Sequence, residues 1–142
     1  MSNNKIFTAG LVGAVVAFLL GYLVYGLALN DFFMENSGSA TGVMRGDDEM
    51  QWIPMILGHV TWGMLFAVIF GKWAGISTFS TGAKAGALLG FLIGASFDLI
   101  QLGSTHISNV TGVVVDIVVM TIVSAIVGGV VGWFLGRGAS SE

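Results

Sequence analysis

The sequence predicts an all-α fold, an integral membrane four-helix bundle with Gly/Ala-rich helix packing. Apolar residues make up 55% of the 142-residue chain and charged residues only 9%, and the mean hydropathy is +0.90. Four apolar segments reach the roughly 20 residues that a helix needs to cross a bilayer. The remaining segments are too short to bury a core of their own, so we expect a single membrane domain over residues 1–142.

The four predicted spans follow from apolar runs and the polar residues that bound them. The first begins after Lys5, and its run of about 24 residues exceeds the roughly 7 to 15 of a signal peptide, so we expect it to be retained. The second begins at Trp52, and Pro54 suits a helix start. The third and fourth each contain one acid, Asp98 and Asp116. The predicted spans are 6–29, 52–71, 85–103 and 110–136, with an outer loop at 30–51 and an inner loop at 72–84.

The distribution of charge in the loops predicts the orientation. Basic residues of short loops stay on the cytoplasmic side of a membrane. The 30–51 loop carries five acids around Arg45, and the short turn at 104–109 carries no formal charge. We therefore expect both termini in the cytoplasm, an N-in/C-in topology. The basic residues on the predicted inner side are Lys5, Lys72, Lys84 and Arg137.

Small residues recur at every fourth position along each predicted span. This spacing lets helix backbones approach each other closely in lipid. We expect helix packing of the glycine-zipper kind. Rows of small residues that extend beyond the contacts needed within the bundle would favour a second packing face. The predicted helix-packing residues are Gly13, Gly21, Gly63, Gly71, Gly86, Gly90, Gly94, Gly128 and Gly132.

Each row of small residues ends at a polar side chain: Tyr25, His59, Asp98 or Asp116. With a rise of 1.5 Å per residue, all four lie about 8 to 10 Å below the outer surface of the bilayer core. Each also lies about 40° around its helix from the small residue four positions away, so we expect it to face the bundle. The sequence therefore predicts one inward polar layer, which is the candidate ion site.

Three interpretations of this layer remain open. The first is structural, with the polar groups hydrogen-bonded across helices at about 0.6 kcal/mol per bond. The second is a proton- or cation-handling site, because ionisable residues inside a span mark relays and ion pathways. The third is a divalent-metal site of His59, Asp98 and Asp116, whose imidazole and carboxylate groups suit Zn²⁺ or Mn²⁺. Three ligands scattered over three helices specify a metal poorly, so we predict no metal site.

Several classes of function lack their sequence signals. The chain has no cysteine, and its net charge of -3 gives no electrostatic footprint for nucleic acid. The glycines are spaced for helix contact, and no phosphate-binding loop follows a strand. We therefore expect no enzymatic activity, no cofactor and no nucleic-acid partner.

The connection at 71–86 reads Gly71-Lys-Trp-Ala-Gly-Ile-Ser-Thr-Phe-Ser-Thr-Gly-Ala-Lys-Ala-Gly86, and Ser96-Phe-Asp-Leu99 and Val115-Asp-Ile117 follow it. With these stretches the chain resembles a group of small uncharacterised four-span bacterial membrane proteins that share a domain of unknown function. The resemblance covers most of the chain. It implies a four-span fold in the bacterial inner membrane, and it supplies no substrate, cofactor or functional residue.

Two functions of different class are consistent with these features. The first is a non-enzymatic multi-pass inner-membrane protein, a structural or assembly protein or small accessory subunit. Besides the lipid bilayer, its partners would be further copies of itself in a homo-oligomer, or a larger membrane complex. The alternative is a small oligomeric proton or cation transporter or channel that uses Asp98, Asp116 and His59.

Overall fold

The computed structural model describes residues 1–137, which form five α-helices and one isolated β-bridge, between Ser37 and Ser108. Two of the long helices end in a π-helical segment, and a short 3-10 turn lies in the loop before the second long helix. The helices are α1 (Asn3–Gly21, continued by the π-helix Tyr22–Ala28), α2 (Asn30–Glu35), α3 (Trp52–Val68, continued by the π-helix Ile69–Ala74), α4 (Phe79–Ser104) and α5 (Val110–Gly136), and the 3-10 turn is Asp47–Glu49.

Four of these helical stretches are long and apolar enough to cross a membrane. They are Asn3–Ala28, Trp52–Ala74, Phe79–Ser104 and Val110–Gly136. The prediction of an all-helical chain with four apolar helices is confirmed, and these helices support a multi-pass membrane protein. The ends differ from the predicted spans mainly at α4, which begins at Phe79 rather than at residue 85.

Local capping explains where the last two helices begin. The Thr78 hydroxyl accepts a hydrogen bond from the Thr81 N–H at 3.1 Å, and the Asn109 Oδ1 atom accepts one from the Gly112 N–H at 2.9 Å. Each cap satisfies a backbone donor that has no partner inside its helix. Gly75 ends the π-helical continuation of α3 with φ of 62°, a left-handed conformation that glycine adopts without steric cost.

The long helices form two close pairs. α4 packs almost entirely on α5, α1 packs on α3, and the two pairs join mainly through α1 and α5, with a smaller contact between α3 and α5. α5 is therefore the central helix, and it carries more buried residues than any other. The apolar core lies between α1, α3 and α5 and comprises Ile6, Ala9, Ala17, Phe66, Ala67, Phe70, Val123, Val127, Val131 and Leu135.

Small residues bring the backbones of α4 and α5 together. A Cβ atom added to Gly86 would lie 3.1 Å from the Cα atom of Gly128, and one added to Gly128 would lie 2.9 Å from the Cα atom of Gly86. Such distances leave no room for a side chain on either residue. We call this contact the α4–α5 seam, and its facing residues are Gly82 with Gly132, Gly86 with Gly128, Gly90 with Ser124, and Gly94 with Met120.

The contact between α1 and α3 is also close. A Cβ atom added to Gly63 would lie 2.5 Å from the backbone nitrogen of Ala14, and one added to Gly13 would lie 3.4 Å from the Cα atom of Gly63. The predicted packing glycines are buried except for Gly21 and Gly71, which are half-buried. Contacts within the chain therefore occupy the rows of small residues.

Further hydrogen bonds connect segments at each end of the bundle. At one end, the Lys5 ammonium group donates a hydrogen bond to the Arg137 carbonyl oxygen at 2.6 Å, so α1 begins where α5 ends. At the other end, the loop after α2 runs along the turn between α4 and α5. There the Gly38 N–H donates to the Ile107 carbonyl oxygen at 2.8 Å, and the Asn109 N–H donates to the Asn36 carbonyl oxygen at 3.1 Å.

Candidate functional site

A tyrosine and an aspartate form a hydrogen bond between the first and last long helices. Tyr25 lies in the π-helical continuation of α1, and its hydroxyl group donates to the Oδ1 atom of Asp116 on α5 at 2.5 Å. Both side chains are partly buried. Asp116 lies six residues into α5, about 9 Å from the start of the helix. The bond therefore connects α1 and α5 near the end of the bundle that carries the 30–51 loop.

Asp98 extends this contact to a third helix. Its carboxyl group, on α4, lies close to the Asp116 carboxyl group. A hydrogen bond between two carboxyl groups needs a proton on one of them, because an ionised carboxylate only accepts. Within residues 1–137, no N–H or hydroxyl group donates to the buried Oδ2 atom of Asp98. We call Tyr25, Asp116 and Asp98 the Tyr–Asp–Asp cluster.

Aromatic side chains of α2 cover the tyrosine of the cluster. The Phe33 ring stacks on the Tyr25 ring with 5.3 Å between centroids and 30° between planes. Phe32 in turn meets Phe33 edge to face at 5.4 Å. Offset-stacked and edge-to-face arrangements are the favourable ones for aromatic pairs. The short helix α2 thus fixes the orientation of the Tyr25 ring.

Two asparagines hold α2 in place over the cluster. The Asn109 side chain caps α5 and also donates from Nδ2 to the Oδ1 atom of Asn36 at 3.2 Å. Asn36 follows the last residue of α2. The segment that contains Phe33 is therefore tied to the start of the helix that carries Asp116.

The fourth predicted residue, His59, lies apart from the cluster. Its Nδ1 atom is 2.7 Å from the Met55 carbonyl oxygen one turn earlier on α3. Its ring meets the Phe18 ring edge to face at 5.2 Å, and its Nε2 atom would be 3.3 Å from a Cβ atom on Gly21. In the described part of the chain, His59 forms no hydrogen bond with Asp98 or Asp116. The structure thus brings together three of the four predicted side chains, and His59 packs against α1.

The metal interpretation has no matching geometry. Across residues 1–137, no group of three or more His, Cys, Asp or Glu side chains is placed to hold a metal ion. His59 lies on α3, which packs on α1, whereas Asp98 lies on α4, which packs on α5. The helix that carries His59 therefore barely touches the helix that carries Asp98.

An open hollow of about 280 Å³ lies beside the cluster on α4. Its lining residues are Phe97, Ile100, Gln101, Ser104 and Thr105, so it opens on the face of α4 that includes the exposed Phe97 side chain. Asp98 is not among its lining residues. The Asp98 carboxyl group belongs instead to the face that meets α5.

Three features of the site were not predicted from the sequence: the aromatic cover, the asparagine pair and the π-helical segment. Asn109 before a long apolar run is a typical N-cap signal. Its second contact, with Asn36, depends on the path of the 30–51 loop, which composition does not specify. The π-helix gives no sequence signal that distinguishes it from a continued α-helix, although such segments occur often at functional sites.

The fold and the cluster together define a helical protein with four membrane-crossing candidates and an interhelical Tyr–Asp–Asp contact. Comparisons of the chain with protein-family models, with curated proteins and with solved structures find no match.

Proposed function

We propose that this chain is a non-enzymatic multi-pass membrane protein, a structural or accessory subunit whose Tyr–Asp–Asp cluster joins three of its four spans. The observation that carries this proposal is the hydrogen bond from Tyr25 to Asp116. It lies between α1 and α5, the contact through which the two helix pairs mainly meet. A polar bond at this point stabilises the arrangement of the pairs as well as two individual helices.

The cluster would also fix the position of α4 along α5. Within residues 1–137, the buried residues of α4 are all glycines, so no buried side chain of α4 interlocks with its neighbour. A seam of this kind gives close contact but little resistance to sliding along the helix axis. A buried polar contact is the best-attested device for specifying register between helices. Asp98 would supply it where α4 meets Asp116.

The same proposal includes the N-in/C-in orientation and the bacterial inner membrane. Lys5 and Arg137 lie together at one end of the bundle, whereas the acid-rich 30–51 loop packs at the other. Basic residues in short loops mark the cytoplasmic side. The resemblance to small four-span bacterial proteins supports the location.

Glycine-zipper packing and self-association belong to the proposal as well. The α4–α5 seam supports the first, because its backbones are in contact along the helices. For the second, every long helix exposes large apolar side chains, such as Phe7 on α1, Ile53 on α3, Phe97 on α4 and Val118 on α5. Lipid tails or further subunits would cover these surfaces. The molar mass of the purified protein distinguishes a monomer, which lipid covers, from an oligomer.

A proton transporter or channel is the second candidate, and one observation favours it. Asp98 and Asp116 place two partly buried carboxyl groups close together, and a hydrogen bond between them would need a proton on one. Carboxyl groups inside a span are typical of proton relays. In this form the candidate uses Asp98 and Asp116, because His59 packs against α1 and, within residues 1–137, forms no hydrogen bond with either acid.

The two candidates are separated by replacing Asp98 with asparagine and with alanine. An asparagine amide at position 98 still donates a hydrogen bond to Asp116 but carries no exchangeable acid proton. The structural proposal expects no proton or cation flux from the wild type in liposomes, near wild-type stability for Asp98→Asn, and lower stability for Asp98→Ala. The transport candidate expects flux in the wild type that Asp98→Asn abolishes without unfolding. Asp31→Asn, which changes an exposed acid outside the four spans, is the control. Wild-type flux that depends on Asp98 would overturn the structural proposal.

A further inference from the structure

An open hollow of about 540 Å³ lies at the end of the bundle where α1 begins and α5 ends. Its position separates it from the Tyr–Asp–Asp cluster, which lies toward the opposite end. Four of its five lining residues are polar or cationic, although the surrounding helices are mostly apolar. The lining residues are Asn4, Lys5, Thr8, Phe134 and Arg137.

The two cations of the hollow are held in place by contacts within the chain. The Lys5 ammonium group donates one hydrogen bond to the Arg137 carbonyl oxygen at 2.6 Å. An ammonium group has three donors, and this is its one hydrogen bond within residues 1–137, which leaves two donors for a ligand there. The Arg137 guanidinium lies 4.5 Å from the centroid of the Trp133 ring, a cation–π contact that restricts where the side chain can go.

The start of α1 adds to the positive field at the same place. α1 has 19 α-helical residues and begins at Asn3. Its first backbone N–H groups have no partner inside the helix, and the Ser2 side chain accepts one bond, from the Lys5 N–H. A helix N-terminus carries a partial positive charge that favours anions. Two cations and one helix start therefore converge on one hollow.

We propose that this hollow binds a phosphate group through Lys5 and Arg137. Phospholipid headgroups and free phosphate share this chemistry. A basic hollow at the end of membrane-crossing helices lies at the level of the lipid phosphates, and basic pockets between spans on the cytoplasmic side bind anionic headgroups. The Phe134 side chain gives the hollow an apolar wall beside the cations. This site does not depend on the role of the Tyr–Asp–Asp cluster.

The test measures binding by the delipidated full-length protein in a neutral detergent, with tryptophan fluorescence as the signal, because Trp133 lies beside the hollow. The protein is titrated separately with phosphatidylglycerol, with phosphatidylcholine and with inorganic phosphate. The variants are Lys5→Gln, Arg137→Gln and their combination. A glutamine at position 5 can still donate to the Arg137 carbonyl oxygen. Lys84→Gln is the matched control, because Lys84 is exposed on α4 and does not line the hollow.

We expect phosphatidylglycerol to bind more tightly than phosphatidylcholine. Each single variant should weaken this binding about fivefold and the double variant about 30-fold, whereas Lys84→Gln leaves it unchanged. Lys5→Arg, which keeps the positive charge, should bind like the wild type, and Arg137→Gln carries the test if Lys5→Gln fails to fold. A response to phosphatidylglycerol alone identifies a lipid headgroup, and the same Lys5-dependent response to inorganic phosphate identifies a free phosphate. Equal weakening by Lys84→Gln, or binding that does not depend on Lys5 and Arg137, would refute the site.

Discussion

The hydrogen bond from Tyr25 to Asp116 makes a quantitative prediction about stability. The substitution Tyr25→Phe removes only the hydroxyl group and leaves the ring that stacks on Phe33. Hydrogen bonds between membrane helices contribute about 0.6 kcal/mol on average and about 1.7 kcal/mol at most. The Tyr25 bond is short, at 2.5 Å, and its acceptor is a carboxyl group, which places it in the upper part of that range. We expect Tyr25→Phe to lower the free energy of unfolding by about 1 to 1.7 kcal/mol.

The chain offers a matched control one turn away. Tyr22 lies in the same π-helical segment and is 55% exposed. Tyr22→Phe makes the same chemical change on the surface of the helix, so we expect its effect to stay within about 0.5 kcal/mol. The free energies are measured by reversible unfolding in mixed micelles with increasing sodium dodecyl sulfate, followed by tryptophan fluorescence.

A double-mutant cycle isolates the bond itself. Asp116→Ala removes the acceptor, and the cycle with Tyr25→Phe cancels the loss of the aspartate's other contacts. A coupling energy of about 1 kcal/mol is expected for residues in direct hydrogen-bonded contact. Coupling below about 0.3 kcal/mol, or equal effects of Tyr25→Phe and Tyr22→Phe, would show that the bond does not hold α1 to α5 and would remove the observation on which the structural proposal rests.

Two further predictions use the same unfolding measurement. Gly86→Ala places a methyl group 3.1 Å from the Cα atom of Gly128 and should destabilise the protein by about 1 to 3 kcal/mol. Its control is Gly58→Ala, where the added methyl group meets open space, and this change should be neutral or stabilising by up to about 1 kcal/mol. Equal effects of the two substitutions would contradict the close contact at the α4–α5 seam. Asn109→Ala removes the cap of α5 and the bond to Asn36 and should lower stability by about 0.5 to 2 kcal/mol. Asn109→Asp keeps the capping oxygen and should recover part of this loss, and no recovery would argue against capping.

The number, type and order of the long helices were predictable from the sequence for a simple reason. A bilayer requires apolar segments of a fixed minimum length, so apolar runs such as residues 110–136 locate helices without knowledge of their neighbours. Helix ends were less predictable. α4 starts at Phe79 because Thr78 caps it. The first turn of α4 contains polar residues, so the apolar pattern assigned it to the predicted inner loop.

The position of His59 was not predictable from depth alone. The rise per residue gives the level of a side chain in the membrane, and it gives no information about which helix lies beside it. The level of His59 is similar to that of Asp116, but α3 packs on α1, so its nearest partners are Phe18 and Gly21. Tyr25 meets Asp116 from the π-helical end of α1, whose i→i+5 bonding changes the direction that an uninterrupted α-helix would give.

The meeting of Asp98 with Asp116 follows from the α4–α5 seam. Each step of four residues along α4 is matched by a step of four back along α5, as in the pairs Gly86 with Gly128 and Gly94 with Met120. One further step places Asp98 opposite Asp116. Two antiparallel helices that keep this constant register bring the last members of both rows together, so this part of the site is encoded in the spacing of the small residues.

The contact between α1 and α3 also keeps a constant register, yet it brings no second polar group to His59. A Cβ atom added to Gly63 would lie 3.0 Å from the Cα atom of Ala14. One step of four residues farther along each helix, His59 packs on Phe18. By the same register Tyr25 is level with the first turn of α3, about two turns beyond Phe18, so it passes His59 and meets α5. A row of small residues therefore predicts the partner of a polar group only where both rows end in a polar residue at matching positions of the register.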